Sequence, residues 1–240
     1  MQPIRKKHKR KYSKIFAFIK GIIPKGGFIK AQIRKIAKAR LLGSRHSKNY
    51  AQREVLDEIE RIILQRKAKR VLLYCPLSFE LDISPLLWRL KKVRGIEVFV
   101  PYIQGEEFRA VLFRLPLIRA DFGVLQPKVA YSHTQKIDVI VAPSIAWDKE
   151  LGRIGFGKGY YDRFCAKLTS KPYIIFVSYL SFFVKKKITQ DFDIRGDIAL
   201  SPKCRLRRKK SGIVMDRPYN SYSFNLRDFE KEVLVSQEGD

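Results

Sequence analysis

The stretch GRIGFGKGYYDRF, residues 152–164, concentrates residue types that bind phosphate. Gly155, Gly157 and Gly159 alternate with Phe156 and Lys158; Arg153 and Ile154 stand before them, and Tyr160, Tyr161 and Asp162 follow. Without a Cβ, such a loop lets its backbone N–H groups approach an anion closely, and positive φ is available to it. Between a strand and a helix, those amides would meet phosphate at the helix start. Two familiar nucleotide motifs fail here. Gly152, Gly157 and Lys158 fit GxxxxGK, but Gly159 stands where the Walker loop needs a hydroxyl for magnesium. The spacing GxGxG also falls short of the dinucleotide pattern GxGxxG. Any metal that accompanies a triphosphate must then be held by carboxylates, with Asp162 and Asp148 the nearest. The competing reading is a glycine-rich surface turn with two packing tyrosines. The Arg, Lys and Asp at fixed offsets argue against it.

The elements that would position this loop are legible from periodicity. IDVIVAPS (137–144) is an apolar run that predicts a buried strand ahead of the loop, and YYDRFCAKL has helical spacing after it. Upstream, helical spacing begins at Ala31, with Ile33, Ile36, Ala37 and Leu41 on one side, and again over 47–66. Residues 70–76, IEVFVP, RAVLFRL and 171–180 predict further strands. Ser84 and Pro85 predict a helix start, with Ser84 as N-cap. Apolar strands alternating with helices predict an α/β fold, a three-layer αβα arrangement around a mostly parallel sheet. Ligands of such sheets sit beyond the strands' carboxyl ends, where segments 76–82, 101–105, 143–163 and 191–197 are expected. Three regions follow: a basic arm over 1–27, a domain over 28–202, and a basic, polar tail over 203–240.

Fifty Lys and Arg against 23 Asp and Glu give a formal charge of +27. Nine of the cations fall in residues 1–28, with no acid, and six in KCRLRRKK (203–210); the remainder still carries +12. This balance favours polyanionic partners and says nothing of fold. Nucleic-acid binding is therefore a competing function, although no RNP-like or KH-type pattern occurs. Cys75, Cys165 and Cys204 are far apart, without CxxC or Cys/His clustering. Neither a disulfide framework nor a zinc site is expected, and free thiols fit a cytoplasmic protein. No run approaches the ~18 apolar residues of a membrane-spanning helix. His8, His46 and His133 have no recognisable nucleophile partners.

The segment IDVIVAPSIAWDKELGRIGFGKGYYDRF resembles the 5-formyltetrahydrofolate cyclo-ligase family. Pro143, Ala146, Asp148, Gly152, Arg153, Gly155, Gly157, Gly159, Tyr160, Tyr161 and Asp162 fit that family's signature. The resemblance extends over about 29–202. It takes in Lys30 and Arg34 at the family's Lys-x-x-x-Arg spacing, Tyr74 with Glu80 and Asp82, Val100-Pro101, FGVLQP (122–127), and Asp193 with Asp197. The chain departs from the family pattern in LSFFVKKKITQDFD, where that pattern's Gln and Pro are not matched, and at Leu77, often Met elsewhere.

The resemblance implies ATP-dependent closure of 5-formyltetrahydrofolate to 5,10-methenyltetrahydrofolate, with magnesium as cofactor and ATP as co-substrate. It implies that Arg153 and Lys158 act on the transferring phosphoryl group. Lys30, Arg34 and residues 153–161 would bind ATP. Leu77, Glu80, Asp82, Phe156, Gly157, Lys158, Gly159 and Tyr160 would contact the reduced folate, and Asp162 and Asp193 would hold the metal, with Asp148 in reserve. The alternative is a degenerate member that binds nucleotide or nucleic acid through its basic arms without folate turnover.

Overall fold

The computed structural model describes residues 27–43, 50–130, 132–209, 211–217 and 223–224. Most of the expected basic arm and the far end of the expected tail lie outside them. The helices are α1 (Gly27–Gly43), α2 (Tyr50–Gln65), α3 (Ser84–Lys91) and α4 (Tyr160–Ala166). In chain order the strands are β1 (Arg70–Leu72), β2 (Glu97–Gln104), β3 (Glu107–Leu112), β4 (Leu117–Arg119), β5 (Leu125–Pro127), β6 (His133–Thr134), β7 (Val139–Pro143), β8 (Ala146–Asp148), β9 (Arg153–Ile154), β10 (Tyr173–Val177), β11 (Phe183–Val184), β12 (Ile198–Ser201), β13 (Cys204–Lys209), β14 (Gly212–Arg217) and β15 (Ser223–Phe224).

The central sheet runs β14-β13-β12-β10-β7-β1-β2-β3-β6. Its middle strands, β12 to β2, are parallel, and both edges turn antiparallel. The period of two explains how such apolar strands stay buried on both faces. Val71, Val139, Val141 and Ile175 enter one core with Val55, Ile59 and Ile63 of α2 and Leu86 and Leu90 of α3. Leu72, Ile140, Ala142, Ile174 and Phe176 enter the other, with Trp147 of β8 and Tyr161 and Phe164 of α4. The third layer is thus partly a small sheet, β15-β11-β8-β9. Onto it α1 packs Ile33, Ala37 and Leu41. Among the described residues no helix is long and apolar enough to cross a membrane, and all three cysteines are free.

Two expectations change. KCRLRRKK does not open a tail: it contributes strand β13, paired with β12 through Ile198↔Arg207 and Ser201↔Cys204. The expected boundary at 202 therefore falls inside the sheet. Cys204 and Leu206 are buried while Arg205 and Arg207 alternate with them, so the run has a face toward the core. At α3, Ile83 is the N-cap and Ser84 the first helical residue. The amide of Ser84 is held by Asp82 Oδ1 at 3.0 Å.

Carboxylates pin the strand ends. Asp138 Oδ2 accepts from the N–H groups of Lys69 and Arg70, both at 2.8 Å, at the amino end of β1. Asp197 Oδ2 accepts from Ile174 N at 2.9 Å at the amino end of β10. The fully buried Asp148 takes the N–H groups of Glu150 and Gly152 on one oxygen. Its other oxygen takes those of Ile188 and Thr189 and the Thr189 hydroxyl. Removing it strands several buried donors, each worth about 1–3 kcal/mol. We therefore expect Asp148→Ala to lower stability by on the order of 3 kcal/mol or more. Urea unfolding checks this: an unchanged midpoint would mean that segment 188–189 is anchored elsewhere.

Candidate active site

Lys30, Arg34 and Lys38 follow one another at helical i, i+4 spacing and share a face of α1. That face is laced to the glycine loop. Arg34 Nε donates to Gly155 O at 2.8 Å, and Lys38 Nζ donates to Phe156 O at 3.3 Å. Lys30 forms an ion pair with Asp193 Oδ1. Burial pulls the Arg34 pKa down, and the Asp193 charge pulls it back up. A guanidinium remains charged through such opposing shifts.

The glycines of the loop divide their tasks. Gly157 has φ +103°, and a Cβ there would stand 3.3 Å from Arg34 Cζ. A Cβ on Gly155 would overlap the Arg153 guanidinium, so this glycine makes room for a buried cation. None of the backbone N–H groups of residues 155–159 donates to another described residue. Arg153 itself is buried, donates from Nε to Pro143 O at 3.0 Å, and lies 4.9 Å from the Tyr161 ring centroid. Its Nη1 is 4.0 Å from Asp162 Oδ2, while Asp162 Oδ1 accepts from Ile194 N at 3.0 Å. These contacts tie segment 190–195 to the loop. Asp193 Oδ2 accepts from Gln190 N at 2.8 Å.

Beside the loop opens a cavity of about 290 Å³. Leu77, Phe79, Ile103, Phe122 and Phe156 give it apolar walls, and Glu80, Lys38, Arg153 and Lys158 give it charge. Phe79 and Phe156 pack with centroids 5.0 Å apart, and Lys158 lies 4.3 Å from the Phe122 ring centroid. Tyr160 donates to Gly105 O at 2.9 Å. The Tyr161 hydroxyl is buried with no partner among the described residues. Burial raises the Glu80 pKa to about 7, against the pull of the Leu77 N–H and Arg153. Burial also pushes the Cys75 thiol in the cavity wall up to about 12, which keeps it from acting as a thiolate.

Most of the expected site residues meet here: Lys30, Arg34, Arg153, Asp162 and Asp193 around the loop, and Leu77, Glu80, Phe156, Lys158, Gly159, Tyr160 and Tyr161 around the cavity. Three do not. Ile154 buries its side chain under α1, because β9 alternates and Arg153 takes the other face. Asp82 caps α3 and does not line the cavity. Asp148 has both oxygens filled by five donors, so it is no reserve metal ligand. Segment 191–197 was expected at the strands' carboxyl ends, but it descends from Asp193 at the loop to Asp197 at the amino end of β10. Lys38, Phe79 and Phe122 were missed. Lys38 could have been found by carrying the Lys30, Arg34 spacing one turn further; the aromatics join only through tertiary packing.

Among the described residues no three metal-binding side chains cluster. Among the described residues Asp162 Oδ2 makes an ion pair with Arg153 alone, at 4.0 Å, whereas both oxygens of Asp193 are engaged. A magnesium ion that shares phosphate oxygens and water needs only one or two carboxylates. Asp162 fits that requirement, and Asp193 instead holds Lys30.

A sequence model of the 5-formyltetrahydrofolate cyclo-ligase family matches residues 28–180. The chain is 28% identical over 174 residues to the 5-formyltetrahydrofolate cyclo-ligase of Haemophilus influenzae, covering 69% of this chain and 91% of that protein. The NMR structure of Aquifex aeolicus 5,10-methenyltetrahydrofolate synthetase superposes with a TM-score of 0.60 at 26% identity, covering 82% of this chain and 96% of that one. The Mycoplasma pneumoniae 5,10-methenyltetrahydrofolate synthetase shares the fold, with a TM-score of 0.55 at 18% identity, covering 72% of this chain and 99% of that one. These relatives do not favour a member without turnover. With the matched segment spanning α1, the glycine loop and the cavity walls, the chain belongs to the 5-formyltetrahydrofolate cyclo-ligase family.

Proposed function

We propose that this chain closes 5-formyltetrahydrofolate to 5,10-methenyltetrahydrofolate at the expense of ATP, releasing ADP and phosphate. One observation carries the reading. A run of backbone amides, residues 155–159, that donate to no other described residue lies between the cationic face of α1 and an apolar cavity lined in part by Glu80. The first half suits a triphosphate and the second a flat, hydrogen-bonding ring system.

A formamide oxygen leaves poorly. Transfer of the γ-phosphoryl group to that oxygen breaks the bond to ADP and creates a good leaving group. N10 then bonds to the activated carbon and loses its proton, and phosphate departs with the oxygen. Such transfer is governed by positioning and charge. Arg153 and Lys158 would neutralise the transferring group, and Lys30 and Arg34 would hold the nucleotide from α1. Asp193 keeps Lys30 in place. Asp162 would hold a magnesium ion, which would supply neutralisation of the β/γ charge. Leu77, Phe156 and Tyr160 would flank the folate, and Glu80 would take its ring N–H groups. The basic arms would add salt-sensitive contact with polyanions, and the free thiols fit a cytoplasmic setting.

Incubation with 5-formyltetrahydrofolate, ATP and magnesium should raise the near-ultraviolet absorbance of the methenyl product. Arg34→Ala and Lys158→Ala should each lower kcat/KM on the order of 10²-fold, as for other charge-stabilising groups, with the fold kept. Parental rates in both variants would remove the loop from the chemistry.

Glu80 gives a pH signature. An ordinary glutamate titrates near 4.5, so the folded chain holds this proton more tightly than the unfolded chain. Its contribution to stability is present below 4.5 and is lost as pH rises through about 7. In Glu80→Gln that loss should vanish from urea unfolding measured across this window. Catalysis should move the other way. The kcat/KM for folate should rise as the Glu80 carboxylate forms, and the Gln variant should be flat and about tenfold weaker in alkaline buffer. A parental pH profile in the variant would exclude Glu80 as the ring acceptor.

A further inference from the structure

The helix that follows the glycine loop also grips one wall of the cavity. Tyr160, Arg163 and Lys167, the C-cap of α4, share one face at helical spacing. They hold three consecutive residues where β2 turns into β3. Tyr160 donates to Gly105 O at 2.9 Å, Arg163 Nη2 donates to Glu106 O, and Lys167 pairs with Glu107 at 2.5 Å. The turn itself is exposed. The strands it joins belong to the site: Pro101, Ile103 and Phe108 line the cavity, and Ile103 stands opposite Phe108 in the ladder. Phe108 is in turn packed on α4, its ring centroid 5.1 Å from that of Tyr161 and 4.5 Å from that of Phe164. The wall is thus docked to α4 by aromatic rings inside and by a polar stripe outside.

Arg163 does more than its two neighbours on that stripe. The same Nη2 that reaches Glu106 O also donates to Lys158 O at 2.7 Å. Its guanidinium carbon lies 5.6 Å from the Tyr160 ring centroid, and a Cβ on Gly159 would stand 2.9 Å from its Nη1. Gly159 therefore leaves the space in which the guanidinium reaches back along the loop. The loop is held through its carbonyls: Arg34 donates to Gly155 O, Lys38 to Phe156 O and Arg163 to Lys158 O. The first two donors come from α1; Arg163 comes from α4 and of the three is the one that also reaches the β2–β3 turn. One nitrogen so joins the backbone of the loop's own cation to the backbone of the cavity wall. A lysine carries its ammonium on a flexible stem, so the charge is confined only as well as the backbone beneath it.

We propose that Arg163 is a positioning residue that locks Lys158 to the β2–β3 turn, so that one side chain sets both the cation that faces the transferring phosphoryl group and the wall that faces the folate. The role of Lys158 in this statement rests on the cyclisation reading; the lock itself does not. The test uses the full chain, read by hydrogen exchange without substrate and by methenyl product formation. In Arg163→Ala, exchange over residues 103–108 should quicken severalfold as the turn comes free, and kcat should fall about tenfold as Lys158 loses its placement. Arg163→Lys should restore much of both, because an ammonium can stand in for the single nitrogen that donates to the two carbonyls. Against a Lys158→Ala background, Arg163→Ala should lower kcat by less than about twofold further, since the cation it places is gone. An arginine with a purely structural role would cost the same factor in either background. That result, or parental exchange in Arg163→Ala, would overturn the proposal. Absence of product from the parental chain would remove the cyclisation reading, and exchange would still decide whether Arg163 holds the turn.

Discussion

A cation buried in a protein has to be surrounded by acceptors, and Arg153 organises this molecule around that demand. Its side chain takes the carbonyl at the end of β7, shares the neighbourhood of Asp162, and lies against the Tyr161 ring. Gly155 lacks a side chain because the guanidinium occupies that space. Asp162 in turn fixes the backbone of Ile194, which brings Asp193 to Lys30 on α1. Strand β7, the loop and α4 meet at this side chain, and segment 190–195 and α1 join the same assembly through Asp162 and through the Lys30–Asp193 pair.

The fold was legible wherever burial followed a simple period. The run at 137–144 became β7 because a strand buried on both faces reads as continuous apolar sequence. The pattern Ile33, Ala37, Leu41 became the buried face of α1. Legibility ended where charge masked alternation: Arg205, Arg207 and Arg208 made β13 look like solvated tail, although Leu206 is buried as deeply as most of the core. In the candidate site, the glycine spacing drew attention to the loop, but the sequence could not say which glycine is shaped by φ and which by a neighbour. Lys38 was within reach of the same helical arithmetic that selected Lys30 and Arg34.

Carboxylates show the limit most clearly. Asp82, Asp148, Asp162, Asp193 and Asp197 all fall in suggestive motifs, yet their work differs by who donates to them. Asp148 is saturated by donors from two loops, Asp82 caps a helix, and Asp197 closes a strand end. Only Asp162 keeps an oxygen that faces a cation without a short contact. Residue type and spacing cannot distinguish a structural acid from a functional one when both sit on turns. The count of N–H groups aimed at each oxygen can.

Phe122 sits at the cavity with φ of 60° and more than half its surface in water, beneath the Lys158 ammonium. A bulky residue in the left-handed region costs about 1–3 kcal/mol relative to a relaxed backbone. Glycine or asparagine there would relieve the turn. Selection for heat resistance alone would thus tend to erase the aromatic wall of the pocket, and a thermostable descendant of this chain would be the one to inspect first for a lost appetite for flat ligands.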